Sequence, residues 1–366
     1  MKLKKIPTYL IQKWLFEDAK DNFEIDLGES GVQHQYLNKV NFDPKQHMNY
    51  TTDAGSDNLR DILAGYYGCS KNNICITHGG QEALYLFYRS FLEKGDHVIT
   101  FSPGWSQSWV IPKEVGCDVT IIKLQSQYGF KLDINELKRH IIKETKLIVV
   151  NYPNNPTGIN LDQDEYNSLI NICNEHNIFL LNDEEYLYNY EDSVFKKSNY
   201  AASIGSISKI YGFPATRIGW IVSSKEIIEQ VINYKRYVTV CNSSLCESLA
   251  LDILRRKNEH IERYKTLIIQ GLEVLKEWLK QNHDIKLIEP NRTPYAYVVL
   301  PRNWDSDEFC KTLLHQKKVL LMPASVFLHD ENAFRITFAR DLGLLREGLT
   351  RIQEHINYYN EKNTSA

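Results

Sequence analysis

The chain has no Cys-x-x-Cys pair, no run of 18 apolar residues, no internal repeat and no low-complexity tract. Each absence removes a class of protein. Seven scattered cysteines (Cys69, Cys75, Cys117, Cys173, Cys241, Cys246 and Cys310) are odd in number and unpaired in spacing. That pattern argues against a disulfide framework and a zinc site, and for a reducing compartment. Without a long apolar run no membrane-spanning helix is expected. The stretch from Met1 to Leu15 carries lysines but no apolar core before a small-residue cleavage site, so a soluble cytoplasmic protein is expected. A formal charge of −3 leaves no basic excess to hold a nucleic-acid backbone. The expected partners are therefore small molecules or protein chains. Only Glu361 to Ala366 reads as a frayed polar tail.

What is present is an ordinary globular balance, 43% hydrophobic and 24% charged over 366 residues, long enough for more than one core. Short β-rich runs at Ile74–Thr77, His97–Phe101, Val119–Leu124, Leu147–Asn151, Ile178–Asn182, Ala202–Ser206 and Ile218–Val222 alternate with helical patterns such as Gln81–Leu92 and Gln163–His176. Such alternation predicts right-handed crossovers and an α/β fold with a mostly parallel sheet covered on both faces. From Glu226 to Lys280 one long helical stretch is expected, bridging to a smaller α+β unit. There, Tyr295–Leu300, Val319–Leu321 and Phe334–Phe338 read as strands and Asp305–Gln316 and Asp341–Tyr358 as helices. The expected division is 1–44 as a segment packing on the small unit, 45–255 as the large domain and 256–366 as the small domain.

Open parallel sheets bind ligands at the carboxyl ends of their strands. Gly79-Gly80-Gln81 follows the first run and opens a helix, and Pro103-Gly104-Trp105 follows the second. Asn151 to Gly158, including Asn154-Asn155-Pro156-Thr157, follows the fourth, and Asp183-Glu-Glu-Tyr186 the fifth. Ser206-Ile-Ser208-Lys209 follows the sixth, with Arg217 eight residues on. Singly these are weak signals: a glycine pair is more often a turn, Trp105 more often core, and Asp183 as readily a helix cap. Together they offer an anion cup, an aromatic face, a carboxylate, neutral hydrogen-bonding groups and a lysine at one sheet edge. Pyridoxal 5′-phosphate presents a phosphate, a flat ring, a ring nitrogen, a phenolic oxygen and an aldehyde that condenses with lysine, which matches that set.

From about Tyr50 to Arg335 these motifs, in this order, resemble the class I/II aminotransferases, fold-type I enzymes that use this cofactor. The resemblance implies a large cofactor domain, a small domain built from both chain ends and a homodimer with shared active sites. It implies Lys209 as the Schiff-base lysine and Asp183 as the carboxylate that keeps the ring nitrogen protonated. Asn155 and Tyr186 would hold the phenolic oxygen, and Trp105 would stack on the ring. The phosphate would rest on the backbone of Gly80 and Gln81, the hydroxyls of Ser206 and Ser208, and Arg217. Tyr50 would reach the phosphate of the neighbouring subunit, and Arg335 would grip the substrate carboxylate in a bidentate way. The segments Ile25 to Val32 and Thr77 to Leu86 also resemble capreomycidine synthase-like members, which cyclise a hydroxylated arginine. The chain departs from those at Trp105 and at Asp183-Glu-Glu-Tyr186.

Two other classes are weighed. Ser206-x-x-Lys209 and Ser56-Asp57-Asn58 spell two motifs of penicillin-binding acyltransferases, but in the reverse order and without Lys-Thr-Gly. A sensor half of a transcription regulator would carry a fused DNA-binding helix-turn-helix, and no such appendage or basic patch is seen. Amino transfer is the expected reaction; elimination, cyclisation and oxidation share its first step, loss of the Cα proton, and stay open.

Overall fold

The computed structural model describes residue 3 and residues 5–364, the side chains of 362–364 excepted. The chain starts with a short helix, Leu10–Lys13, continued by one wider turn, Trp14–Asp18, and a two-residue strand, β1 (Ile25–Asp26). Seven strands then build the central sheet: β2 (Ile74–Thr77), β3 (His97–Ser102), β4 (Asp118–Lys123), β5 (Thr145–Val150), β6 (Phe179–Asp183), β7 (Ala201–Ser206) and β8 (Gly219–Val222). Their order is β2-β8-β7-β6-β5-β3-β4, and only β8 runs antiparallel to its neighbours. The mostly parallel α/β sheet expected from the alternation is what forms.

Along β5 the side chains alternate between two cores: Leu147 and Val149 join one face, Ile148 and Val150 the other. Both faces are apolar because helices cover both, so these strands read as unbroken hydrophobic runs. The edge strand β4 instead exposes Asp118 and Lys123, charges that discourage pairing with another sheet.

The long helical stretch expected after Glu226 is three helices, Lys225–Lys235, Ser244–Arg255 and Lys257–Leu279. The first break lies at 236–243, where Val240 adopts a left-handed φ of +63° and Ser243 caps the next helix by accepting from the Cys246 N–H. Fully buried Lys235 holds this turn, donating to Asp53 O, Ile76 O and Asn242 Oδ1 at 2.6 to 2.9 Å. Sequence periodicity carries no trace of that anchor.

The remaining strands are β9 (Lys286–Ile288), β10 (Tyr295–Val299), β11 (Val319–Leu320), β12 (Met322–Pro323) and β13 (Ala333–Thr337). Four of them form an antiparallel sheet ordered β12-β13-β10-β9, and β11 pairs in parallel with β1. The strand expected at Val319–Leu321 is β11, which ends at Leu320, and β12, in the other sheet, follows at Met322–Pro323 where no strand was expected. The N-terminal segment is tied to this unit by the β1 pairing and by Trp14 Nε1, which donates to Leu321 O at 2.9 Å. Arg340 holds the loop after β1 in place, donating to the carbonyls of Asp26, Glu29 and Gly31.

Candidate active site

A cavity of about 600 Å³ opens where the carboxyl ends of the large sheet face the loop after β1 and the strand β13. Gly80 and Gln81 line it from the first turn of the helix Gly79–Phe91, where backbone N–H groups have no partner within the helix and favour anions. Gly79 has a φ of +76°, and a Cβ there would lie 2.5 Å from Arg217 Nη2. The glycine thus lets the guanidinium lie over the helix end. Arg217 itself is exposed, with φ +52°, and Nη1 donates to Pro214 O at 3.0 Å.

Lys209 projects into this cavity, its Nζ 2.7 Å from Glu29 Oε1. Burial alone would lower the lysine's pKa, but Glu29 and then Tyr186 overcome that and leave it raised. Burial would likewise raise Glu29, yet Lys209, then Arg335 and Arg340, hold its carboxyl at about 2. Asp183, at the end of β6, is 8% exposed. The sequence reading expects it ionised; burial first and Glu185 second push its pKa up to about 8. A cation beside it, such as a protonated ring nitrogen, is what would return it to the ionised form.

Asn151 clamps the floor, donating through Nδ2 to Asp183 O at 2.7 Å and accepting through Oδ1 from Asn155 N at 2.8 Å. Asn155 Oδ1 in turn accepts from Arg335 Nη1 at 2.6 Å. Arg335 lies on β13, 2% exposed, gives Nη2 to Gly28 O and leaves Nε buried without a partner among the described residues. Tyr186 donates its hydroxyl to Ser30 at 2.9 Å. Trp105 meets Tyr9 edge to face, centroids 5.8 Å apart, and lines the wall beside Gln81.

The structure therefore brings Gly80, Gln81, Trp105, Asn155, Asp183, Tyr186, Ser208, Lys209, Arg217 and Arg335 around one cavity. Ser206 stands just behind, its hydroxyl donating to Glu185 Oε2 at 2.5 Å and accepting from Ser208 N at 3.1 Å. Tyr50 is not brought in: it is 85% exposed, beside a surface hollow lined by Thr239 to Ser244. Sequence reasoning assigned nothing to Glu29 or Glu185. Glu29 stood inside a quoted motif, and Glu185 at a noted departure, but neither has a local pattern that reveals burial beside a lysine or a serine. Ile11, Leu15, Phe16 and Phe23 of the N-terminal segment form the apolar mouth, also unforeseen.

The family model described as aminotransferase class I and II matches residues 33–352. An aspartate aminotransferase of Pyrococcus horikoshii is 29% identical over 322 residues, covering 83% of this chain and 82% of that one. Capreomycidine synthase of Streptomyces vinaceus is 25% identical over 368 residues, covering 96% and 94%. Among solved structures, a PLP-dependent aminotransferase from Streptococcus suis superposes with a TM-score of 0.91 at 25% identity, covering 97% of this chain and 99% of that one.

Proposed function

The chain belongs to the class I and II aminotransferase family, and on that premise we propose that Lys209 is the residue its cofactor joins covalently. The enzyme uses pyridoxal 5′-phosphate and moves an amino group between an amino acid and a 2-oxo acid. The observation that carries the assignment of Lys209 is its amine in a cavity bounded by a helix N-terminus and Arg217, and also by the buried guanidinium of Arg335.

The donor set fits the cofactor. Gly80 and Gln81 backbone, Ser206, Ser208 and Arg217 would hold its phosphate. Asp183, buried with no hydrogen bond from a cation among the described residues, suits a protonated ring nitrogen. Asn155 and Tyr186 would take the phenolic oxygen and Trp105 the ring face. When bound, the cofactor supplies an electron sink for the pair left as the substrate Cα–H bond breaks. Lys209 Nζ is the base that takes the Cα proton, and it needs its neutral form to do so. Arg335 would orient the substrate by its carboxylate.

The same reading places a homodimer around the site. Tyr50, Tyr237 and Val240 are exposed at 85%, 86% and 58%, large side chains that a partner would cover, with Tyr50 completing the partner's phosphate cup. The proposed division into 1–44, 45–255 and 256–366 is supported by the two main sheets, which lie within 74–222 and 286–337. All seven cysteines are unpaired, which supports a reducing, cytoplasmic setting.

A second reading, elimination with ring closure, is favoured by one observation. The match to capreomycidine synthase takes in 96% of the chain. Borohydride reduction of the cofactor-loaded protein followed by peptide mapping tests the main assignment: the tag is expected on Lys209, and a tag on any other lysine rejects it. Mass analysis of the cofactor after a single turnover separates the reactions. Amino transfer leaves pyridoxamine phosphate, and its absence across a broad panel of donors moves the assignment to elimination.

A further inference from the structure

Amino transfer makes no use of Glu185, although its carboxyl lies among the groups that would receive the phosphate. The side chain is 9% exposed. Its Oε2 accepts from Ser206 Oγ at 2.5 Å. Its Oε1 approaches Gly80 so closely that a Cβ there would sit 2.1 Å away. A side chain at position 80 would therefore displace the Glu185 carboxyl. The charged groups that face Glu185 are Asp183 and Glu29, which repel its ionised form, and Lys209 and Arg217, which attract it.

An ionised carboxylate only accepts hydrogen bonds, and so does a phosphate dianion, so the two can share no direct hydrogen bond. Their like charges repel there with little screening. A neutral carboxylic acid differs in having one O–H to give. It also releases Ser206, whose hydroxyl no longer needs to donate to Glu185.

We propose that Glu185 is a proton-carrying member of the phosphate cup: it takes one proton from solvent as a phosphate enters and donates that O–H to a phosphate oxygen. Cofactor affinity then depends on a residue of the turn after β6, and the step breaks no other bond. The inference rests on the cofactor reading above. The protein already leans towards the neutral form, because burial raises the carboxyl's pKa by more than Ser206, Lys209 and Arg217 lower it. An acid held neutral by its surroundings so that it can donate is a known use of burial.

The test measures binding of pyridoxamine 5′-phosphate, which has no aldehyde to join a lysine, to the apoprotein by titration calorimetry from pH 6.5 to 9. Relative to Glu185→Gln, wild type should lose about tenfold in affinity per pH unit through part of that range. At pH 8, in two buffers of different ionisation enthalpy, it should take up more protons than the variant, to a limit of about one. Glu185→Met should lack the pH component too, but bind more weakly than Glu185→Gln at every pH because it cannot donate. Pyridoxamine, without a phosphate, should show no difference between wild type and Glu185→Gln. Superposed pH profiles for wild type and Glu185→Gln overturn the role of Glu185 while leaving the cofactor reading intact. Equal binding by the Met and Gln variants overturns the donated hydrogen bond. Failure of wild type to bind pyridoxamine 5′-phosphate at any pH overturns both proposals.

Discussion

Lys209 Nζ lies 2.7 Å from Glu29 Oε1, and this ion pair joins the end of the large sheet to the loop after β1. Both side chains keep about a quarter of their surface, 22% and 25%. The carboxylate raises the pKa of the amine that must become neutral to act. Glu29→Gln should therefore lower the Lys209 pKa and increase its reactivity towards an acylating reagent in the apoprotein, at least about tenfold at pH 8. Mass-spectrometric rates against pH check this; coincident profiles for variant and wild type would show that another group governs the amine.

Arg335 already spends two nitrogens inside the protein, Nη1 on Asn155 and Nη2 on Gly28 O. A lysine ammonium at this site could not keep both bonds and also present a fork to a carboxylate. Arg335→Lys should raise the apparent KM for the amino donor about 10- to 100-fold, the worth of a charge-assisted hydrogen bond, with a smaller change in kcat. An unaltered KM would remove Arg335 from substrate binding.

Glu184 faces away from the cavity and is buried: Oε1 accepts from Val194 N, Ser203 Oγ and Asn182 Nδ2, while Oε2 has no partner among the described residues. Burial raises its pKa to about 7 against the pull of those donors. Because the folded value lies above the unfolded one, about 4.3, the folded state binds this proton more tightly. Its contribution to stability is complete below about pH 4 and is lost as pH rises through about 7. Urea unfolding of the apoprotein between pH 5 and 7.5 should show wild type losing up to about 1.4 kcal/mol per pH unit more than Glu184→Gln. Parallel slopes would mean that Glu184 is ionised when folded.

Tyr50 and Lys209 offer a test of shared sites. If Tyr50 serves the partner's cup, a mixture of Tyr50→Phe and Lys209→Ala proteins should form hybrids with both lesions in one site and neither in the other. Activity should recover after dissociation and reassembly, towards a quarter of wild type at equal mixing when subunits pair at random. Sedimentation as a monomer at working concentration would exclude the idea.

The seven strands of the large sheet were legible because burial on both faces leaves continuous apolar runs, a signal confined to neighbouring residues. Asp183, Ser208 and Lys209 were found for a related reason, since parallel strands all deliver their carboxyl ends to one edge. The break after Lys235 was hidden: its cause is a buried ammonium bound to carbonyls at Asp53 and Ile76, 182 and 159 residues away in sequence. The separate strand β12 at Met322–Pro323 was hidden too, because which sheet a residue joins depends on what lies beside it.

The sequence alone thus determined the α/β class, the edge at which chemistry collects and the lysine at its centre, all consequences of local patterning and chain order. Only the tertiary structure decided that Glu29 meets Lys209 across 180 residues, that Arg335 reaches Asn155 across another 180, and that Glu185 turns inward against Ser206 while Tyr50 stays outside. Partner and burial, which set the charge state of each acid here, are properties of the assembled space and leave no mark on the spacing of residues along the chain.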